Sequence, residues 1–220
     1  MLYSLADMDL EEFWLGYCAV MGVGDMAVLD RRIVGRIDLD KDKDAEIARR
    51  LAMLSKEKQL LLLVPVRLSW QGENCNSVIV WDRGKVAGVV DEISPVGKYD
   101  CGEGVAVLST SKGNLAVVVE NDLYYAQVAE LLSRVKVRYV VYSSAKPCAS
   151  NAVGVLRALS IFLGCKCYGC MSDLSVEVIG GEVIDVEVGK LRPLSDLATI
   201  GKPNRVQQSI ELLVLDKKPT

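Results

Sequence analysis

Short apolar runs arranged in pairs, each pair closed by a tight polar turn and followed by a helical segment, constrain this chain more than any other feature of its sequence. Asn76–Trp81 and Lys85–Val90 flank Asp82-Arg83-Gly84, and Val105–Leu108 and Leu115–Val119 flank Ser111-Lys112-Gly113-Asn114. Glycine beside Asp, Arg or Asn between apolar runs is hairpin chemistry, because it supplies the left-handed backbone that a tight turn needs. Helical spacing appears at Leu10, Phe13, Trp14, Tyr17, Cys18 and Met21, with Asp9 as N-cap, and at Ile47, Leu51 and Leu54 within 44–58. The same pattern predicts buried strands at Met26–Leu29 and Gln59–Leu68, with a polar loop after Asp30-Arg31-Arg32. Downstream it predicts a helix over Leu123–Arg134, a strand over Arg138–Tyr142, a helix over Val153–Phe162 and a strand over Cys165–Met171. A strand pair across a Gly-Gly turn follows within Ser175–Val188, and beyond Arg192 the chain reads as a tail with one late strand, Ser209–Leu215. Hairpins alternating with single helices predict an α/β fold in which a pair of mixed sheets is sandwiched between helices.

With 220 residues, half of them hydrophobic and a quarter charged, the chain is expected to form one domain spanning 1–220. Its formal net charge of -3 and the lack of any Lys/Arg stripe argue against a nucleic-acid partner. No uncharged apolar run approaches the roughly 18 residues of a membrane span, and Asp7, Asp9, Glu11 and Glu12 interrupt the start where a signal peptide would be apolar. The expectation is a cytoplasmic protein with no membrane association. There is no GxGxxG opening a helix and no GxxxxGK[ST], so neither a dinucleotide nor a P-loop reading is supported, and no cofactor is expected.

Histidine is absent from the chain, which excludes Ser-His-Asp and Cys-His nucleophiles and His-containing zinc sites. The seven cysteines are odd in number and do not resemble a secreted disulfide framework. Within Cys165-Lys166-Cys167-Tyr168-Gly169-Cys170, a strand puts Cys165 and Cys167 on one face and Cys170 on the other. Three thiols so divided read as buried core residues, and no metal site is assigned.

Four stretches, taken in order, resemble the nitrilase, or carbon–nitrogen hydrolase, superfamily. Val23-Gly24-Asp25-Met26-Ala27-Val28-Leu29 is similar to its early Gly-Ala-Asp strand, and Asn76-Ser77-Val78-Ile79-Val80 with Asp82, Gly84-Lys85 and Gly88 to its Asn-Ser strand and Asp-Gly-Lys turn. Tyr99 followed by Gly102-Glu103 matches its Tyr-x-x-Gly-Glu approach, and Gly113 to Asp122 resembles its Gly-x-hydrophobic-Gly-hydrophobic-Cys-Tyr-Asp elbow. The resemblance implies a four-layer α-β-β-α sandwich, commonly paired into homodimers or higher homo-oligomers through outer helices and tail. The apolar Leu212-Leu213-Val214-Leu215 would be part of that contact.

The family works with a Glu base, an oxyanion-stabilising Lys and a Cys nucleophile, and this chain departs at all three. The cysteine position is Glu120, the lysine falls on Glu92, and the glutamate falls on Arg31 with Asp30 one position away; the Asp after the elbow is retained as Asp122. A carboxylate is a poor substitute for a thiolate that must form and release a thioester, and an ionised Glu92 would repel an oxyanion. Glu120 reads either as a cleft carboxylate acting as nucleophile, base or cation ligand, or as an acid in a structural ion pair. An exchanged pair, Arg31 with Glu92 or Glu120, is one expected outcome. Asp30, Glu103, Asp122 and Lys146 are the expected pocket residues, and the loop thiols Cys101 and Cys148 would also approach it. The resulting expectation is a catalytically inactive member that binds a small molecule or a protein partner. The alternatives are a divergent hydrolase with a carboxylate-based or metal-assisted site, and a structural subunit of a larger assembly.

Overall fold

The computed structural model describes residues 2–5, 22–95, 97, 99–100, 102–146, 150–172, 174–186 and 213–214. The helix expected over 9–21 lies outside these residues, as do Cys18, Cys101 and Cys148 and most of the C-terminal tail.

Two six-stranded sheets lie face to face. The first contains β1 (Leu2–Leu5), β2 (Met26–Leu29), β4 (Leu61–Trp70), β5 (Glu73–Asp82) and β6 (Lys85–Asp91) in that spatial order, with β3 (Arg36–Asp38) paired to the far half of β4. The second runs β13 (Glu182–Val186), β12 (Ser175–Ile179), β11 (Lys166–Cys170), β10 (Tyr139–Ser143), β9 (Gly113–Val119), β8 (Val107–Thr110). Alternation along each strand divides its side chains between two cores. Leu61 and Leu63 meet Leu115, Val117 and Val119 between the sheets. Leu62, Val64 and Val66 instead pack under helix α2 (Asp42–Glu57) with Leu51 and Leu54. Ala116 and Val118 face the other way, under α3 (Ala126–Ser133) and α4 (Ser150–Leu163) with Val128, Leu132 and Leu156. The layers are therefore α-β-β-α, the expected architecture. Among the described residues no helix is long and apolar enough to cross a membrane.

Both hairpin expectations hold. Arg83 and Gly84 adopt φ of 53° and 85°, the paired left-handed geometry that suits a two-residue turn between twisted strands. Two local expectations need correcting. After Asp30 the chain does not loop but forms a short helix, α1 (Arg31–Val34), and then β3, because Asp30 caps the helix and Ile33 and Ile37 bury against α2. The segment after β9 starts as a 3-10 turn (Glu120–Tyr124) and becomes α-helical only at Ala126, the extended backbone of Tyr125 separating the two. Of the late strand, Leu213–Val214 (β14) is described, and it pairs with β7 (Gly104–Val105) of the same chain.

Strand direction brings the functional candidates to one end. The parallel strands β2, β9, β10 and β11 all deliver their C-terminal residues there, where loops rather than ladders follow. The start of β5 and the end of β6 run antiparallel into the same place.

Candidate functional site

Glu120 sits where β9 ends, 5% exposed, with φ of 49°. The other non-glycine residues with positive φ, Gln59, Gln71 and Arg83, flank or occupy turns, whereas Glu120 directly continues a buried strand. Such a backbone costs on the order of 1–3 kcal/mol and persists when surrounding contacts fix it. Those contacts are on the carboxylate: Oε1 accepts from Arg31 Nη1 at 2.9 Å and from the Ala145 amide at 2.9 Å, and Oε2 accepts from Ser144 Oγ at 2.9 Å. The sharp turn thus aims the side chain at α1 of one sheet and the loop after β10 of the other.

Arg31 answers half of the expected exchange directly and half through an intermediary. Its second terminal nitrogen, Nη2, donates to Asn76 Oδ1, and Asn76 Nδ2 donates to Glu92 Oε2 at 2.7 Å. The other oxygen of Glu92 accepts from the side chain of Asn121 at 2.8 Å and from its amide at 3.2 Å. Asn121 follows Glu120, so the hydrogen bonds that link Glu120, Arg31, Asn76, Glu92 and Asn121 form a ring that the Glu120–Asn121 peptide bond closes. Burial lowers the pKa of Arg31, Glu120 opposes that shift, and nearby Arg67 adds to it. A guanidinium nevertheless stays charged.

The remaining candidates divide. Asp122, 3% exposed, turns toward the loop after β6 and accepts from the amides of Ile93 at 2.8 Å and Ser94 at 3.2 Å. Burial raises its pKa to about 7 against the pull of those two amides, with Glu92 and Glu120 adding to the rise. Lys146 reaches the ring's outer edge, Nζ donating to Asn121 Oδ1 at 2.9 Å. Asp30 is spent locally, capping α1 and pairing with Arg32 at 3.0 Å. Glu103 is exposed and acts on Asp91, whose pKa is raised mainly by burial. The three acids Glu92, Glu120 and Asp122 direct their oxygens at separate protein donors. Among the described residues no group of three or more Cys, Asp or Glu is placed to hold a metal ion.

Sequence reasoning missed Asn76 and Asn121 as ring members and Ser144 as a donor to Glu120. The first was visible in the Asn-Ser strand and the second between two acids, but an amide that bridges an arginine and a glutamate has no signature before the chain is folded. The thiols behave as the strand alternation implies: Cys165 and Cys167 lie under α4 with their sulfurs 3.8 Å apart, and Cys170 faces the other sheet.

Compared as a sequence, the chain matches no family model and no curated protein. Compared as a fold, it is similar to a carbon–nitrogen hydrolase from Helicobacter pylori (TM-score 0.69, 14% identity, covering 86% of this chain and 87% of that one). It is also similar to Saccharomyces cerevisiae Nit3, a member of branch 10 of the nitrilase superfamily (0.68, 13%, 86% and 86%). A third is a CN-hydrolase superfamily protein of Xanthomonas campestris with an arsenic adduct in its active site (0.68, 12%, 87% and 88%). The strand order, the four layers and these likenesses agree, and the chain has the nitrilase, or carbon–nitrogen hydrolase, fold.

Proposed function

We propose that this protein is a catalytically inactive nitrilase-fold chain that binds a small molecule at the end of the sandwich around Glu120. One observation carries the reading: both carboxylate oxygens of Glu120 are committed to Arg31, Ala145 and Ser144, all donors of the protein itself. A nucleophile or general base must present a lone pair to the substrate within hydrogen-bond reach. Here the acid at the elbow instead closes a ring. Glu92 places negative charge beside it, the opposite of what a developing oxyanion needs. The solved neighbours include an amidase from Nesterenkonia with an active-site cysteine; at the elbow, this chain carries Glu120.

The test is turnover. Purified protein incubated with amides, nitriles and N-carbamoyl compounds is expected to release no ammonia and no acid above the uncatalysed rate. Hydrolysis that disappears in Glu120→Gln would overturn the proposal and favour a divergent hydrolase, for which the near-neutral Asp122 would be the candidate base.

A further inference from the structure

The face of β4 that meets the second sheet changes character along its length. Leu61 and Leu63 lie in the inter-sheet core, and four residues beyond Leu63 the same face presents Arg67. Arg67 is the register partner of Asn76, the residue whose side chain accepts from Arg31. It therefore stands at the open end of the sandwich, one cross-strand step from the ring.

Four arginines gather at this end, and three of them meet carboxylates: Arg31 meets Glu120, Arg32 meets Asp30 and Arg36 meets Asp38. Arg67 is different. It is exposed, its guanidinium carbon lies 5.7 Å from the centroid of the half-buried Tyr99 ring, and among the described residues no carboxylate comes within ion-pair distance of it. A ring beneath one face of a guanidinium leaves the edge with its N–H groups turned outward. The charge also acts on Arg31, adding to the lowering of its pKa that burial causes, with Glu120 and Tyr99 opposing it.

We infer that Arg67, backed by Tyr99, is the docking point for the acidic group of the ligand, which is a small carboxylate-bearing compound; this rests on the reading of this end of the sandwich as a binding site. A carboxylate matches the guanidinium fork with two parallel hydrogen bonds. Arg31 cannot supply them, because both its terminal nitrogens are engaged by Glu120 and Asn76. A neutral amide of the same size forms one such bond at most, and an amine is repelled by both arginines.

Calorimetry and thermal shift on the full chain with butyrate, butyramide and butylamine, matched in size, test this. Butyrate is expected to bind about tenfold or more tightly than butyramide, more weakly at high salt, with butylamine not binding. Arg67→Met should abolish that preference without lowering the unliganded melting temperature by more than a degree or so, since exposed substitutions are usually near neutral. Arg67→Lys, which keeps the charge and loses the fork, should retain only part of it. Equal binding of butyrate and butyramide, or a preference that survives Arg67→Met, overturns the carboxylate inference and leaves the binding role standing. Binding of none of the three at millimolar concentration overturns both.

Discussion

A buried ion pair is costly to make and more costly to break, and Arg31 shows why. Among the described residues its charge is compensated by a single carboxylate, that of Glu120, at 2.9 Å. Removing the guanidinium strands that carboxylate with only a hydroxyl and an amide, a loss that typically costs about 3 to 5 kcal/mol. Denaturant unfolding of Arg31→Met is expected to show a penalty of that size, and Arg31→Met combined with Glu120→Gln should recover most of it; equal midpoints for the single variant and the parent would refute the pair's role. Asp122 makes a second residue-scale prediction, with a definite sign. Its folded pKa of about 7 lies above the roughly 3.9 of an unfolded aspartate, so the folded state holds its proton more tightly. The contribution to stability is complete below about pH 4 and is lost as pH rises toward about 7. Melting curves between those values should fall more steeply for the parent than for Asp122→Asn, and parallel slopes would refute the assignment.

At the scale of elements, the hairpins and helices were legible because turn glycines and apolar periods are local signals. The short helix and strand after Asp30 were not. Four residues of helix carry no periodicity, and what holds α1 and β3 is a cap and two isoleucines that find α2 only after folding. The stretch containing Gly102 illustrates a signal readable as a motif but explicable only in space. The Gly102 amide donates to the carbonyl of Glu92 at 2.8 Å, and a Cβ there would stand 2.8 Å from the backbone oxygen of Asp91. Backbone cannot move aside as a side-chain tip can, so Gly102→Ala should push the segment off the end of β6. A loss of about 1 to 3 kcal/mol in equilibrium unfolding is expected, as for overpacking. Unchanged stability would mean that this contact does not secure the segment beside Glu92.

For the molecule as a whole, the four layers followed from sequence because strand pairs and helices alternate in one order. The site was legible only as three positions whose residue types depart from the pattern the sequence resembles; that Arg31 would reach Glu120 directly and Glu92 through an asparagine depends on distances between two sheets. The outer surface raises a further expectation. Ile161 and Phe162 near the end of α4 are 65% and 66% exposed, and Tyr124 and Tyr125 before α3 are also largely open. The two helices pack on each other, and exposed apolar and aromatic side chains on their outer side are of the kind that association covers. Light scattering at micromolar concentration is expected to give a homodimer, and Phe162→Glu to shift it toward monomer. A strict monomer in the parent would exclude the expectation.

The closed ring around Glu120 also bears on how reversible the present site is. Installing a thiol by Glu120→Cys alone would leave Arg31, the Ala145 amide and the Ser144 hydroxyl without the acceptor they share, while Glu92 still opposed any oxyanion. Changing Arg31 or Glu92 first strands a different member of the same circuit. Each single step is downhill in fitness to fold before any reactivity is gained, so the positions are epistatic. A designer, like natural mutation, would have to exchange all three at once, because the ring ties each position to the other two.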